Sequence, residues 1–322
     1  MLDVTKEDAP ALHAAVRDEV RTLMEREGLN QRQIADESGV AYGTLTPFMG
    51  GTYRGDLNRV AEQLHRWLET RRERARTAAQ LPGELSFVLT PTAEDIHGIL
   101  GFAQAAQDFA VIVGSAGIGK TRAIEEYAKR ASNVWVITAD PSMKKASSLL
   151  SILAEDLDVK ERRSAFISRA LSNRVRGSAG LIVIDEAQHL QTEAFDQLRT
   201  TIVDLGKCGV VVAGNESILA RLQGSADRRT QEFAQLHSRV GMRKSQVGAK
   251  AKDVCLIIEK WGITEEAVVR MLKTIARKPG ALRIMGKVIK LAAMISGGGV
   301  PDIGTSHIER AWAQLSSQQI EA

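Results

Sequence analysis

The chain reads as an α/β fold. A parallel, doubly wound sheet stands between an all-α N-terminal region and an all-helical C-terminal one. Three observations predict it. Apolar β-branched runs alternate with helical patterns from about residue 93 to 245, the signature of a parallel sheet with crossover helices. The 70 or so residues before this stretch carry only three- and four-residue apolar spacing. Beyond residue 248 helical spacing returns and no strand pattern remains. The expected organisation is a helical region at 1–75, a linker at 76–92, the α/β core at 93–247 and a helical lid at 248–322.

In the first region Leu12, Val16, Val20, Leu23 and Met24 predict one amphipathic helix ending near Gly28. Residues 31–46 then read as a short helix, a turn at Gly39 and a second short helix. Ile34 and Ala35 point inward and Val40 packs below the turn, which is the helix-turn-helix pattern. Pro47 predicts that the second helix is short or kinked. A later helix, about 57–74, turns Val60, Leu64, Trp67 and Leu68 inward. Residues 1–80 hold 12 Lys+Arg and 13 Asp+Glu, a net of 12 − 13 = −1. Two readings stand for this region: a DNA contact through Arg32 and Thr44, or a protein-docking bundle. The basic run Arg71–Arg76 followed by Pro82-Gly83 marks the linker.

Strands are expected at 109–113, 133–138, 181–185 and 209–213. The first runs into Gly114, Ser115, Ala116, Gly117, Ile118, Gly119, Lys120 and Thr121, which fits G-x-x-x-x-G-K-[ST] between a strand and a helix. The glycines let backbone N–H groups approach phosphate oxygens, and the helix N-terminus adds a favourable dipole. Lys120 would reach the β- and γ-phosphates of ATP, and the Thr121 hydroxyl would hold Mg²⁺. The third strand ends in Asp185-Glu186, 185 − 120 = 65 residues past Lys120. Asp185 suits the metal and Glu186 the alignment of the attacking water. The fourth strand ends in Gly214-Asn215, where the polar Asn215 can contact the γ-phosphate or that water. Within 271–290 there are six Lys+Arg and no Asp or Glu. That basic helical face suits nucleic acid, nucleotide phosphates or plain solvation.

Length and composition bound the rest. The chain has 322 residues, 44% hydrophobic and 25% charged, with a net charge of +4, which permits nucleic-acid binding without requiring it. No apolar run approaches the ~20 residues of a membrane helix, and the polar, acidic N-terminus is not a secretion signal. A cytoplasmic protein is expected. Cys208 and Cys255 lack metal-ligand spacing and read as reduced thiols.

The order of the phosphate loop, Asp185-Glu186, Asn215, Ser238-Arg239 and Gly280-Ala-Leu-Arg283 resembles the AAA+ P-loop ATPases. The resemblance implies that Arg239 acts as an arginine finger on a neighbouring subunit, with Arg228 and Arg229 as rivals, and that Arg283 is a second γ-phosphate sensor. Further stretches narrow it: Tyr53-Arg-Gly-Asp56, Arg66-Trp-Leu-Glu69, Asn133-Val-Trp-Val-Ile-Thr138, Lys278-Pro-Gly-Ala-Leu-Arg283 and Leu291-Ala-Ala-Met294. Across nearly the whole chain the sequence resembles the MuB family of phage transposition proteins. That family implies ATP-bound subunits assembled as a helical filament on double-stranded DNA, without strong sequence preference. The filament presents target DNA to a transposase and stimulates strand transfer, and hydrolysis follows contact with the partner. Lys144 and Lys145, in the loop after the second strand, would face the duplex, with Arg162 and Arg163 as further candidates. Two other functions share the core: a helicase loader or replication initiator, and a nucleotide-gated helix-turn-helix repressor.

Overall fold

The computed structural model describes residues 9–218 and 240–316, and the chain divides into two compact units at Leu81/Pro82. In the first unit, α1 (Ala9–Glu27), α2 (Gln31–Ser38), α3 (Tyr42–Met49) and α4 (Leu57–Gln80) enclose one apolar cluster centred on Ile34, Leu45, Phe48 and Leu64. Each of these four is fully buried, which contributes about 1.5–3 kcal/mol per side chain before the entropy of ordering is subtracted. Asn30 and Gln33 cap α2 reciprocally, each side chain bonding the other's backbone N–H at 2.9 Å. Gly39 closes the helix in a left-handed conformation, φ 72°. Two short helices joined by a turn at Gly39 thus stand where the pattern predicts them. Pro47 does not end α3 where it stands. Phe48 and Met49 follow it in the helix, both buried, so packing carries the last residues.

The helix expected to stop near residue 74 continues to Gln80, because 75–80 (Ala-Arg-Thr-Ala-Ala-Gln) includes strong helix formers and Pro82 comes only after it. The expected linker at 76–92 is accordingly shorter. Thr90 caps α5 (Pro91–Ala106), leaving 81–90 between the helices.

In the second unit the sheet runs β2-β3-β4-β1-β5, every pair parallel. Its strands are β1 (Phe109–Gly114), β2 (Val134–Thr138), β3 (Leu181–Asp185), β4 (Gly209–Gly214) and β5 (Val240–Gln246). The three central strands are buried along their whole length, as continuous apolar runs in a two-sided sheet must be. Helices α6 (Lys120–Arg130), α7 (Ala146–Asp156), α8 (Ser164–Val175) and α9 (Thr192–Leu198) follow the strands, and a π-helical segment, Arg199–Leu205, continues α9. One face packs around Leu149, Leu153, Leu171 and Phe195, the other around Ile96, Leu100 and Ile124. β5 carries no apolar run: Val-Gly-Met-Arg-Lys-Ser-Gln lies mostly exposed at the sheet edge, which hides it from sequence patterning.

The C-terminal helices are α10 (Ala251–Lys260), α11 (Glu266–Ala276), α12 (Ala281–Ser296) and α13 (Thr305–Ser316), packed around Leu272, Met285, Val288 and Trp312. Expected as a separate region, they belong to the same unit as the core. Asp253 is fully buried and explains part of that union. It accepts the Thr92 backbone N–H at 3.2 Å, the Thr92 hydroxyl, and the Lys250 backbone N–H at 3.3 Å. The first lid helix is thereby tied to the start of α5. Both cysteines are free. Cys255 is exposed, whereas burial pushes the Cys208 thiol up to about 12.

Candidate functional site

β1 delivers the chain at its C-terminal edge into the loop 114–119, and α6 begins at Lys120. Two loop glycines take left-handed backbone that an L side chain resists, Gly117 at φ 84° and Gly119 at φ 100°. With this turn the first N–H groups of α6 remain free of intrahelical partners, as an anion site requires. The Lys120 ammonium is buried and folds onto the loop, donating to the Gly114 carbonyl at 2.6 Å and the Ser115 carbonyl at 3.1 Å. Burial draws it below the ordinary lysine value. The charges of Asp185, Glu186 and Glu216 oppose that, and Arg283 adds to it.

The Thr121 hydroxyl donates to Asp185 Oδ2 at 2.6 Å, and Asp185 Oδ1 accepts the Glu186 N–H at 2.9 Å. Asp185 is only 1% exposed. A hydroxyl and a carboxylate so placed form an oxygen donor pair that fits Mg²⁺, which takes one or two protein ligands and completes its shell with phosphate and water. Among the described residues no cluster of three or more His, Cys, Asp or Glu offers a self-sufficient metal cage. Glu186 stands in the left-handed region, φ 52°, half-buried at the strand end. Asn215 lines the same cavity, its side chain accepting the Ser217 N–H at 3.0 Å.

The lid closes directly on the phosphate loop. Leu282 N–H donates to the Gly117 carbonyl at 3.1 Å, and a Cβ on Gly117 would strike the Gly280 carbonyl. Arg283, one residue on, lines the cavity. That cavity holds about 530 Å³. It gathers residues 116–121, Glu186, Asn215 and Arg283, together with two walls that sequence reasoning missed. One wall is the linker, Glu84–Val88. The other is the lid, Ile257, Trp261, Leu282 and Lys290, of which Lys290 alone belonged to the basic face expected to suit nucleotide phosphates. The walls offer apolar and aromatic surface, suited to a planar base. Apart from Lys290, only the sparse apolar pattern of the linker, Leu85-Ser-Phe-Val-Leu89, signalled them. Also missed was Glu216, which accepts the Ser115 hydroxyl at 2.9 Å. Its carboxyl is held below the usual range by its own backbone N–H and by that hydroxyl.

Arg239 and its rivals Arg228 and Arg229 lie outside the described residues. Lys144, Lys145, Arg162 and Arg163 are not part of the cavity lining. Lys144 and Lys145 are exposed between a 3-10 turn and α7. Arg162 bonds the Val159 carbonyl at 2.7 Å, and Arg163 is paired with Glu161 at 2.8 Å and lies over the Phe166 ring. In the first unit Arg32 is exposed on α2 and Thr44 half-buried on α3. No helix among the described residues is long and apolar enough to cross a membrane.

Two family profiles match the chain, one described as an AAA domain over residues 104–222 and one as "Mu B transposition protein, C terminal" over 238–315. The ATP-dependent target DNA activator B of Escherichia phage Mu is 37% identical over 93% of this chain and 95% of its own length. The Mu-like prophage FluMu DNA transposition protein B of Haemophilus influenzae is 34% identical over 80% of this chain and 89% of its own. Among solved structures, the Aeropyrum pernix ORC1 protein in complex with DNA aligns with a TM-score of 0.49 at 18% identity, covering 74% of this chain and 69% of that one.

Proposed function

The chain belongs to the family of the phage target DNA activator B proteins, and from that membership we propose that it is an ATPase that binds duplex DNA in its ATP state and hands it to a transposase. The observation that carries the ATPase reading is the meeting of Lys120, Thr121 and Asp185 at one edge of the sheet, beneath a lid that supplies Arg283.

The substrate's phosphates occupy the loop 114–119, and Lys120 exchanges its two carbonyl partners for β- and γ-phosphate oxygens. The base lies between the linker 84–88 and Trp261. Thr121 and Asp185 would hold Mg²⁺, which would supply positive charge to the phosphates. Glu186 aligns a water with the γ-phosphorus. As the new P–O bond forms, the bond to the β-phosphate oxygen breaks, and ADP and inorganic phosphate leave. Arg283 from the lid and Arg239 from a neighbouring subunit meet the charge spread over the γ-phosphoryl oxygens. An arginine supplied in trans is worth ~10³–10⁵ in rate, so hydrolysis depends on assembly.

The assembled form is a helical filament on DNA. Lys144 and Lys145 contact backbone phosphates, and binding is indifferent to sequence and sensitive to salt. The helix-turn-helix unit adds contacts to DNA or to the partner. The protein acts in the cytoplasm of a bacterial host and joins no DNA strands itself. The test is electron microscopy with random duplex DNA. ATP-dependent filaments that disassemble on hydrolysis are the expected result. A compact footprint on one operator-like sequence would overturn the reading in favour of a repressor.

A further inference from the structure

Gln188 is half-buried two residues beyond Glu186, in the short 3-10 turn Ala187–His189 that follows β3. Its side chain spans two strands. The amide nitrogen donates to Glu186 Oε2, and the amide oxygen accepts the Asn215 backbone N–H at 3.3 Å. That oxygen also lies over Gly214, where a Cβ would strike it. The turn is braced from both sides, by Glu186 N–H on Asp185 Oδ1 at 2.9 Å and by His189 N–H on the Glu186 carbonyl at 3.1 Å.

We propose that Gln188 is a positioning residue, which couples the water-aligning carboxylate of Glu186 to the end of β4 where the γ-phosphate is read. The inference rests on the assignment of Glu186 above. A carboxylate on a flexible side chain aligns water poorly unless one oxygen is held, and here Oε2 is held by the Gln188 amide. A primary amide offers a donor and an acceptor in one rigid plane, so a single group serves both partners. Asparagine, one methylene shorter, would not span both. The Asn215 side chain is already engaged on Ser217, so it is the Asn215 backbone that the amide senses. A displacement of Asn215 by an arriving phosphate is thus transmitted through one amide to the carboxylate that must then act.

The test compares Gln188→Leu and Gln188→Glu in the full chain with duplex DNA present. It reads kcat, KM for ATP, and affinity for ADP with and without aluminium fluoride, which mimics the phosphoryl group in transit. Gln188→Leu removes both bonds at similar size. We expect kcat to fall ~10-fold or more, part of the 10²–10⁴ that a positioned base supplies. ADP affinity should stay as it was, and the gain in affinity on adding aluminium fluoride should shrink in step with kcat. Gln188→Glu keeps the acceptor for Asn215 but sets a second carboxylate against Glu186, and should fall at least as far. Unchanged kcat in either variant, or a loss confined to KM and ADP affinity, would overturn the proposal. So would failure of the isosteric Gln188→Glu to bind ADP, since the residue would then be structural. Glu186→Gln in the same assay separates the two claims. If its turnover survives, the assignment of Glu186 fails. If it is inactive while both Gln188 variants are normal, only the coupling fails.

Discussion

The Thr121 hydroxyl and the Asp185 carboxylate meet at 2.6 Å, joining the first turn of α6 to the last residue of β3. The two residues are 185 − 121 = 64 positions apart in the chain. They meet because β1 and β3 are parallel strands of one sheet, separated only by β4, and parallel strands end on the same edge. Loops at that carboxyl edge are where open α/β sheets bind ligands.

Lys120→Ala should remove the ammonium together with its bonds to the Gly114 and Ser115 carbonyls. Hydrogen bonds to charged groups contribute about 1.5–3 kcal/mol each, so ATP affinity should fall ~10–100-fold or further. Calorimetry with ATP, alongside thermal melting to show an intact fold, checks this. ATP affinity equal to that of the parent would contradict the phosphate-loop assignment.

Gly117→Ala should separate lid from loop. The new Cβ meets a backbone carbonyl, that of Gly280, at a position already at φ 84°. Strain of this kind costs about 1–3 kcal/mol. The expected result is weaker ATP binding and a melting temperature lower by several degrees. Gly98→Ala is the control: it lies within α5 with nothing near its missing Cβ, so it should be neutral or raise stability by about 0.5–1 kcal/mol. Equal behaviour of the two variants would mean that lid contact does not constrain Gly117.

DNA affinity should fall steeply with salt. Lys144→Ala with Lys145→Ala should weaken binding to all duplexes alike and lower the slope of log affinity against log salt by about 2, one unit per phosphate contact. Both lysines are exposed, and neither makes an ion pair among the described residues. Arg163→Ala should do less, because that guanidinium is already paired with Glu161. Loss restricted to one DNA sequence would point to base readout instead.

Arg239→Ala should bind ATP nearly as the parent does and hydrolyse it poorly. Mixed with Glu186→Gln, it should regain part of the activity, because some interfaces then pair an intact Glu186 site with an intact neighbouring Arg239. A mixture that co-assembles and stays inactive would exclude Arg239 as the finger and turn attention to Arg228 and Arg229.

The phosphate-loop motif and the carboxylates that meet it were legible in the chain because they are short, local patterns. The phosphate loop needs glycine at backbone positions that other residues resist, so Gly117 and Gly119 announce it. The strands β1, β3 and β4 are buried on both faces and write themselves as apolar runs. β5 and the cavity walls left no such mark. An edge strand keeps solvent on one side, and its sequence, with Arg243 and Lys244, obeys that constraint rather than a core's. The end of α4 was misplaced because its last turns are polar and exposed, where helix propensity rather than apolar spacing sets the boundary.

The sequence by itself picked out Lys120, Thr121, Asp185 and Glu186 as candidates for phosphate, metal and water, from residue type at fixed spacing. Tertiary structure decided what those residues face. It brought Leu282 onto the Gly117 carbonyl, gathered Trp261 and the linker into one cavity lining, and placed the Gln188 amide between Glu186 and Asn215. Each of these joins segments whose separation in the chain has no periodicity to betray it. Their meeting depends on strand order, on the burial of Asp253 beneath α5, and on the packing of the lid, which no local pattern encodes.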